Sequence, residues 1–124
     1  MKPDLFWIPG PGRGRLAIAA RPRGGDWLED EARDWRLAGI DEVVSLLEEQ
    51  EAITLGLDEE RHTAEASGMR FLSFPIADRG VPGSMEAAVS LLRDISEQLA
   101  EGKQVAIHCR QGIGRSGLVA SGVL

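Results

Sequence analysis

The sequence contains one cysteine, Cys109, and no run of about 18 apolar residues of the kind that crosses a membrane. A single thiol cannot close an internal disulfide or form a multi-thiolate metal site, so a reducing, cytoplasmic setting is expected. The apolar stretch at residues 5–8 is short, is interrupted by Pro9, and does not have the pattern of a signal peptide. We therefore expect one protein domain that makes no contact with a membrane.

Basic residues are outnumbered: 14 lysines and arginines face 20 aspartates and glutamates, for a net charge of −6. This balance argues against a nucleic-acid-binding protein. Most of the acidic residues lie in residues 26–66, where we interpret them as the solvated faces of helices. Residues 67–124 are slightly basic, so an anion-binding site is expected in this last part of the chain.

Apolar stretches of strand length alternate with helical patterns along the chain. Asp26 is interpreted as the N-cap of the first helix, with Trp27 and Trp35 as core residues of that helix. The alternation predicts an α/β domain of three layers, in which a central, mostly parallel sheet is flanked by helices. Ligands of such sheets bind at the carboxyl ends of the strands, and His108 begins where the last predicted strand ends. Strands are predicted at residues 5–8, 16–19, 40–47, 70–76 and 103–107, and helices at residues 27–38, within 48–67, at 85–101 and from 115 onward.

The segment HCRQGIGRSG, residues 108–117, directly follows this last strand. Its three glycines let a ligand approach the backbone, and successive amides in such a loop form an anion-binding nest. A helix that begins near Arg115 adds its positive dipole end, and the guanidinium presents a planar fork to two phosphate oxygens. The predicted ligand is a tetrahedral dianion.

Cys109 lies in the same loop, where the amides and the guanidinium that attract phosphate also stabilise a thiolate. Ser116 follows the arginine and is placed to donate a hydrogen bond to the sulfur. These residues together predict nucleophilic catalysis by an activated cysteine.

The segment resembles the His-Cys-five residues-Arg-Ser signature of cysteine-based protein phosphatases, the protein-tyrosine and dual-specificity group. The stretch FPIADRGVPG, residues 74–83, resembles the general-acid loop of that family, with Asp78 at the position of the acid. This neighbourhood is most similar to the compact, kinase-associated-phosphatase-like members.

The resemblance implies that Cys109 attacks phosphorus and forms a cysteinyl-phosphate. Asp78 would protonate the leaving group and then accept a proton from water, and Ser116 would help the thiolate to leave. His108 would support the loop and tune the thiolate, with no metal or cofactor required. The residues expected to bind the phosphate in this P-loop are Arg110, Gln111, Gly112, Ile113, Gly114 and Arg115.

The expected substrates are phosphorylated proteins or peptides that carry phosphotyrosine, and also phosphoserine or phosphothreonine. A catalytically impaired phospho-binding module is the alternative, and a thiol-based arsenate reductase would need additional thiols. The family normally continues with further helices, whereas this sequence ends nine residues after Arg115. A single phosphatase domain over residues 1–124 is therefore expected to lack those helices, either as a monomer or as a dimer that supplies the missing cover.

Overall fold

The computed structural model of this protein describes residues 5–8, 13–76 and 85–109, and four helical residues beyond them, Arg115, Ser116, Val119 and Gly122. The described strands are β1 (Leu5–Ile8), β2 (Arg15–Ala19), β3 (Glu42–Ser45), β4 (Arg70–Ser73) and β5 (Gln104–His108). The described helices are α1 (Leu28–Leu37), α2 (Glu49–Thr54), α3 (Glu60–Ala66) and α4 (Met85–Ala100), and a 3₁₀ turn over Gly25–Trp27 precedes α1.

The described strands form one sheet in the order β1-β2-β5-β3-β4. Only the edge strand β1 runs antiparallel to its neighbour, and the remaining pairs are parallel. The carboxyl ends of β2, β5, β3 and β4 therefore meet at one edge of the sheet. β5 is the central strand, so a residue that follows β5 lies between the carboxyl ends of β2 and β3.

The sheet separates two apolar cores. On one face α4 packs residues such as Ile95 against strand residues such as Ile107 of β5. On the other face α1 and α3 contribute Trp35 and Ala64, which belong to the cluster that contains Ala106 of β5. Neighbouring residues of β5 thus point to opposite layers, as the period of a strand requires. The predicted three-layer α/β fold with a mostly parallel sheet is confirmed.

The first helix begins later than the sequence suggested. Gly25, with φ of +59°, opens the 3₁₀ turn, so Asp26 lies inside that turn and provides no side-chain cap. The prediction of Asp26 as an N-cap was therefore wrong. Trp27 lies on the 3₁₀ turn and is 55% exposed, against the prediction that it is a core residue, whereas Trp35 is buried as expected.

Helices α1, α3 and α4 are each closely followed by a glycine, near the helix ends that the sequence predicted. Gly39, Gly68 and Gly102 follow α1, α3 and α4 and have positive φ values of 96°, 91° and 89°. A residue that carries a Cβ is strained in this left-handed conformation, which explains why these helices stop at glycine. Among the described residues, no helix combines the length and the apolar character that a membrane span needs.

Candidate active site

Cys109 is the first residue after β5, at the carboxyl edge of the sheet. Its side chain is 3% exposed and belongs to the core on the α4 side of the sheet. His108, the last residue of β5, points to the opposite layer, beside Trp35 of α1. Strand alternation therefore separates the two side chains of the His-Cys pair: the cysteine faces one layer and the histidine the other.

Glu51 and the Ile76 carbonyl, both within the described residues, hold Arg115 at the same edge. Its Nη1 donates to Oε1 of Glu51 at 2.7 Å, and its Nη2 donates to Oε2 at 3.0 Å. Nη1 also donates to the carbonyl oxygen of Ile76 at 2.7 Å. The arginine side chain is only 4% exposed, so these bonds fix the plane of the guanidinium from within the protein. A two-pronged arginine–carboxylate contact adds geometric specificity as well as energy.

Glu51 is itself fixed by the first turn of α2. Its Oε1 accepts a hydrogen bond from the backbone amide of Glu48 at 3.0 Å, and the Glu48 side chain accepts one from the Glu51 amide. This reciprocal capping box fixes the Glu51 carboxylate, which in turn orients Arg115. The capping-box spacing was present in the sequence, but nothing local indicated that the same carboxylate contacts an arginine 64 residues away.

Glu60 contacts the other end of the signature segment. Its Oε2 lies 2.6 Å from Nε2 of His108, and both side chains are buried. The sequence interpretation of the acidic segment as solvated helix faces was therefore wrong for Glu51 and Glu60, whose carboxylates turn inward to the signature residues. His62, on the same helix as Glu60, is exposed.

Ser116 is completely buried, and its hydroxyl makes no hydrogen bond within the described part of the chain. The expected hydrogen bond from Ser116 to the sulfur of Cys109 is thus not formed in this structure, and a role for Ser116 stays a prediction. Asp78 and residues 110–114 lie outside the described residues, so the general acid and the amide nest also stay predictions.

A surface groove of about 380 Å³ lies between α1 and α3. Its lining includes Arg33, Arg36 and His62, and it contains none of the predicted site residues. The described residues of the signature segment therefore lie at the carboxyl edge of the sheet, and the groove is separate from them.

A family model described as "Polymorphic toxin system, DSP-PTPase phosphatase" matches residues 17–124 of this chain. The resemblance predicted from the signature segment is thereby confirmed. No curated protein matches the sequence.

Solved structures match over nearly the whole chain. The structure titled Tk-PTP in the active form has 35% sequence identity and a TM-score of 0.74, covering 96% of this chain and 70% of its own. A kinase associated phosphatase with serine in place of its catalytic-site cysteine has a TM-score of 0.90 at 18% identity, covering 99% of this chain and 73% of its own. A putative protein tyrosine phosphatase from Leishmania major has a TM-score of 0.71 at 15% identity, covering 93% of this chain and 74% of its own. The last two likenesses concern the fold alone.

Proposed function

The chain belongs to the DSP-PTPase phosphatase family, and on this premise we propose that it hydrolyses phosphotyrosine, and also phosphoserine and phosphothreonine, in phosphorylated proteins through a cysteinyl-phosphate. One observation carries the proposal. The buried Arg115 guanidinium is oriented by Glu51 and the Ile76 carbonyl at the sheet edge where Cys109 emerges from β5.

In the first step the thiolate of Cys109 attacks phosphorus. A sulfur–phosphorus bond forms, the bond from phosphorus to the substrate oxygen breaks, and Asp78 donates the proton that the departing oxygen requires. In the second step water attacks phosphorus while Asp78 takes up a proton, and the sulfur–phosphorus bond breaks to return the thiolate. Inorganic phosphate is the second product, and the balance needs neither an oxidant nor a reductant.

Three N–H groups of Arg115 donate to Glu51 and Ile76 and hold the plane of the guanidinium. In the proposed reaction this oriented guanidinium binds the phosphate oxygens of the substrate. Because the guanidinium is oriented before substrate arrives, less side-chain entropy is lost when the phosphate binds. Donors preorganised toward the charge that develops on the phosphoryl oxygens are an effective source of rate enhancement.

The neighbouring backbone links this arginine to the segment that carries Asp78. Ile76 accepts from Arg115 through its carbonyl and donates its amide to the Leu46 carbonyl at 3.1 Å. The chain two residues before Asp78 is therefore hydrogen-bonded both to Leu46, the residue after β3, and to the arginine proposed to bind phosphate. This supports the proposal that the acid and the arginine serve one substrate.

The single thiol makes the proposal directly testable, because alkylation of a thiol in this chain can occur only at Cys109. We expect hydrolysis of para-nitrophenyl phosphate in the presence of EDTA, inhibition by vanadate, and incorporation of one iodoacetamide per chain that vanadate blocks. Cys109→Ser should reduce turnover to background. Hydrolysis by Cys109→Ser at the parent rate would contradict the covalent mechanism.

Asp78→Asn should slow turnover most for aryl phosphates whose leaving group has a high pKa, because those need the proton most. An equal loss for all leaving groups would contradict the acid role. Binding of a phosphopeptide by the parent with no turnover of any substrate would identify the chain as a phospho-binding module. Phosphotyrosine and phosphothreonine peptides of matched sequence, compared by kcat/KM, test the proposed substrate range.

A further inference from the structure

Glu60, the first residue of α3, has its carboxylate buried against the ring of His108. Its Oε2 lies 2.6 Å from Nε2 of the ring, with the two side chains 5% and 0% exposed. Burying a carboxylate is costly unless it is paired and hydrogen-bonded. The pair is therefore a specific internal contact and not one of the exposed ion pairs that contribute little to a protein.

In the described structure, uncharged residues of α1 and β3 lie beside His108. The ring of Trp35 lies 5.8 Å away, centroid to centroid, at a tilt of 41°, and Ser45 of β3 lies opposite His108 in the strand register. Nδ1 is buried and has no hydrogen-bond partner among the described residues. Since a carboxylate accepts hydrogen bonds, we assign the hydrogen of this bond to Nε2, and Glu60 thereby determines which ring nitrogen is the donor.

The main chain of His108 is also fixed by a hydrogen bond. Its carbonyl oxygen accepts from the amide of Leu46 at 3.0 Å, beyond the last paired residues of β3. Cys109 is the next residue, so a shift of the His108 backbone moves the sulfur. A displacement of about 1 Å of a reacting group can cost roughly 100-fold in rate.

We propose that Glu60 is a positioning residue of this site: it acts through His108 to hold Cys109 in its attacking position and does not touch the substrate. This inference rests on the proposed cysteine chemistry and adds a second carboxylate to it. Glu51 fixes Arg115 at the end of the signature loop, and Glu60 fixes His108 at its start.

Glu60→Gln in the full chain keeps the size of the side chain and removes its charge. We expect kcat for para-nitrophenyl phosphate to fall about tenfold or more, as for carboxylates that orient metal-ligating histidines. KM should change by less than about twofold, because the contacts to phosphate stay in place. In a double-mutant cycle, Glu60→Gln should cause no further loss in a His108→Asn background, since both changes remove one interaction.

Proton NMR reports on the hydrogen bond between Glu60 and His108 without requiring turnover. The chain has two histidines, and the exposed His62 serves as an internal reference. The Nε2–H proton of His108 should resonate far downfield in the parent and lose this shift in Glu60→Gln. Glu60→Asp, which keeps a carboxylate with shorter reach, should retain more kcat than Glu60→Ala, and the exposed neighbour variant Glu59→Gln should behave as the parent in every measurement.

An unchanged kcat, an unchanged His108 resonance, fully additive losses in the double variant, or a rise in KM at constant kcat would each overturn the role of Glu60. Failure of the proposed function is distinguishable, because it appears as absent turnover in the parent. In that case the rate of Cys109 alkylation replaces turnover. An equal alkylation rate in the parent and Glu60→Gln would then still reject the inference.

Discussion

Glu42 provides a test of the electrostatics at the opposite edge of the sheet from Cys109. It begins β3, its side chain is 1% exposed, and its Oε2 lies 3.3 Å from Nη1 of Arg70. Asp94 of α4 shares this arginine, at 3.5 Å. Burial, together with the hydrogen bond and the like charge of Asp94, raises the pKa of Glu42 to about 7, although Arg70 acts in the opposite direction. The folded protein therefore holds a proton on Glu42 up to about neutral pH.

The magnitude follows from linkage between protonation and folding. The ordinary pKa of 4.5 describes the unfolded chain, and about 7 describes the folded one. Below pH 4.5 Glu42 is protonated in both states, so its contribution to the free energy of unfolding is fully present. That contribution is lost as pH rises, because only the unfolded state ionises freely. A difference of about 2.5 units at about 1.4 kcal/mol each makes the loss about 3 kcal/mol above pH 7.

Glu42→Gln mimics the protonated side chain at every pH. We expect its free energy of unfolding in urea, followed by tryptophan fluorescence, to exceed that of the parent by about 3 kcal/mol at pH 8 and by less than about 0.5 kcal/mol at pH 4.5. Lower stability of Glu42→Gln than of the parent at pH 8, or a difference that does not change with pH, would refute the reasoning.

The adjacent Asp41 is a control of opposite sign. Burial raises its pKa, but hydrogen bonds from the Gln104 amide and the Arg36 side chain outweigh burial, and the net pKa is lowered. Its contribution is present above the unfolded pKa of 3.8 and is lost as pH falls through the lower folded value. Asp41→Asn should therefore destabilise the protein at pH 8, where Glu42→Gln stabilises it.

Three further substitutions test the scaffold. Glu51→Gln should lower kcat/KM for para-nitrophenyl phosphate by about tenfold or more, because an amide cannot accept both Arg115 bonds and its NH₂ faces a donor; an unchanged kcat/KM would show that Arg115 is oriented without Glu51. Ile95→Ala, at a completely buried position of α4, should cost about 2–5 kcal/mol in urea denaturation, and a loss below 1 kcal/mol would contradict its packing. Gly24→Ala would place a Cβ 2.1 Å from the Leu55 carbonyl oxygen and should lower stability by about 1–3 kcal/mol, whereas an unchanged melting temperature would show that this close approach relaxes freely.

The sequence permitted a close prediction of the sheet and of the signature segment, because both depend on neighbours in the chain. Apolar runs of strand length indicated β2 and β5, and glycines marked the helix ends since only glycine adopts positive φ without strain. The spacing from Cys109 to Arg115 is likewise local. Even there, local spacing misplaced Trp27, because the 3₁₀ turn that Gly25 opens rotates it away from the face that buries Trp35.

By itself, then, the sequence determined the α/β architecture, the order of its elements and the signature segment that follows β5. Only the tertiary structure decided which of the acidic residues contact that segment. Glu51 reaches Arg115 across 64 positions and Glu60 reaches His108 across 48, and in the sequence these two glutamates look like their exposed neighbours. The reason is physical: a hydrogen bond between side chains depends on distance in space, and that distance is set when α2 and α3 pack beside the sheet.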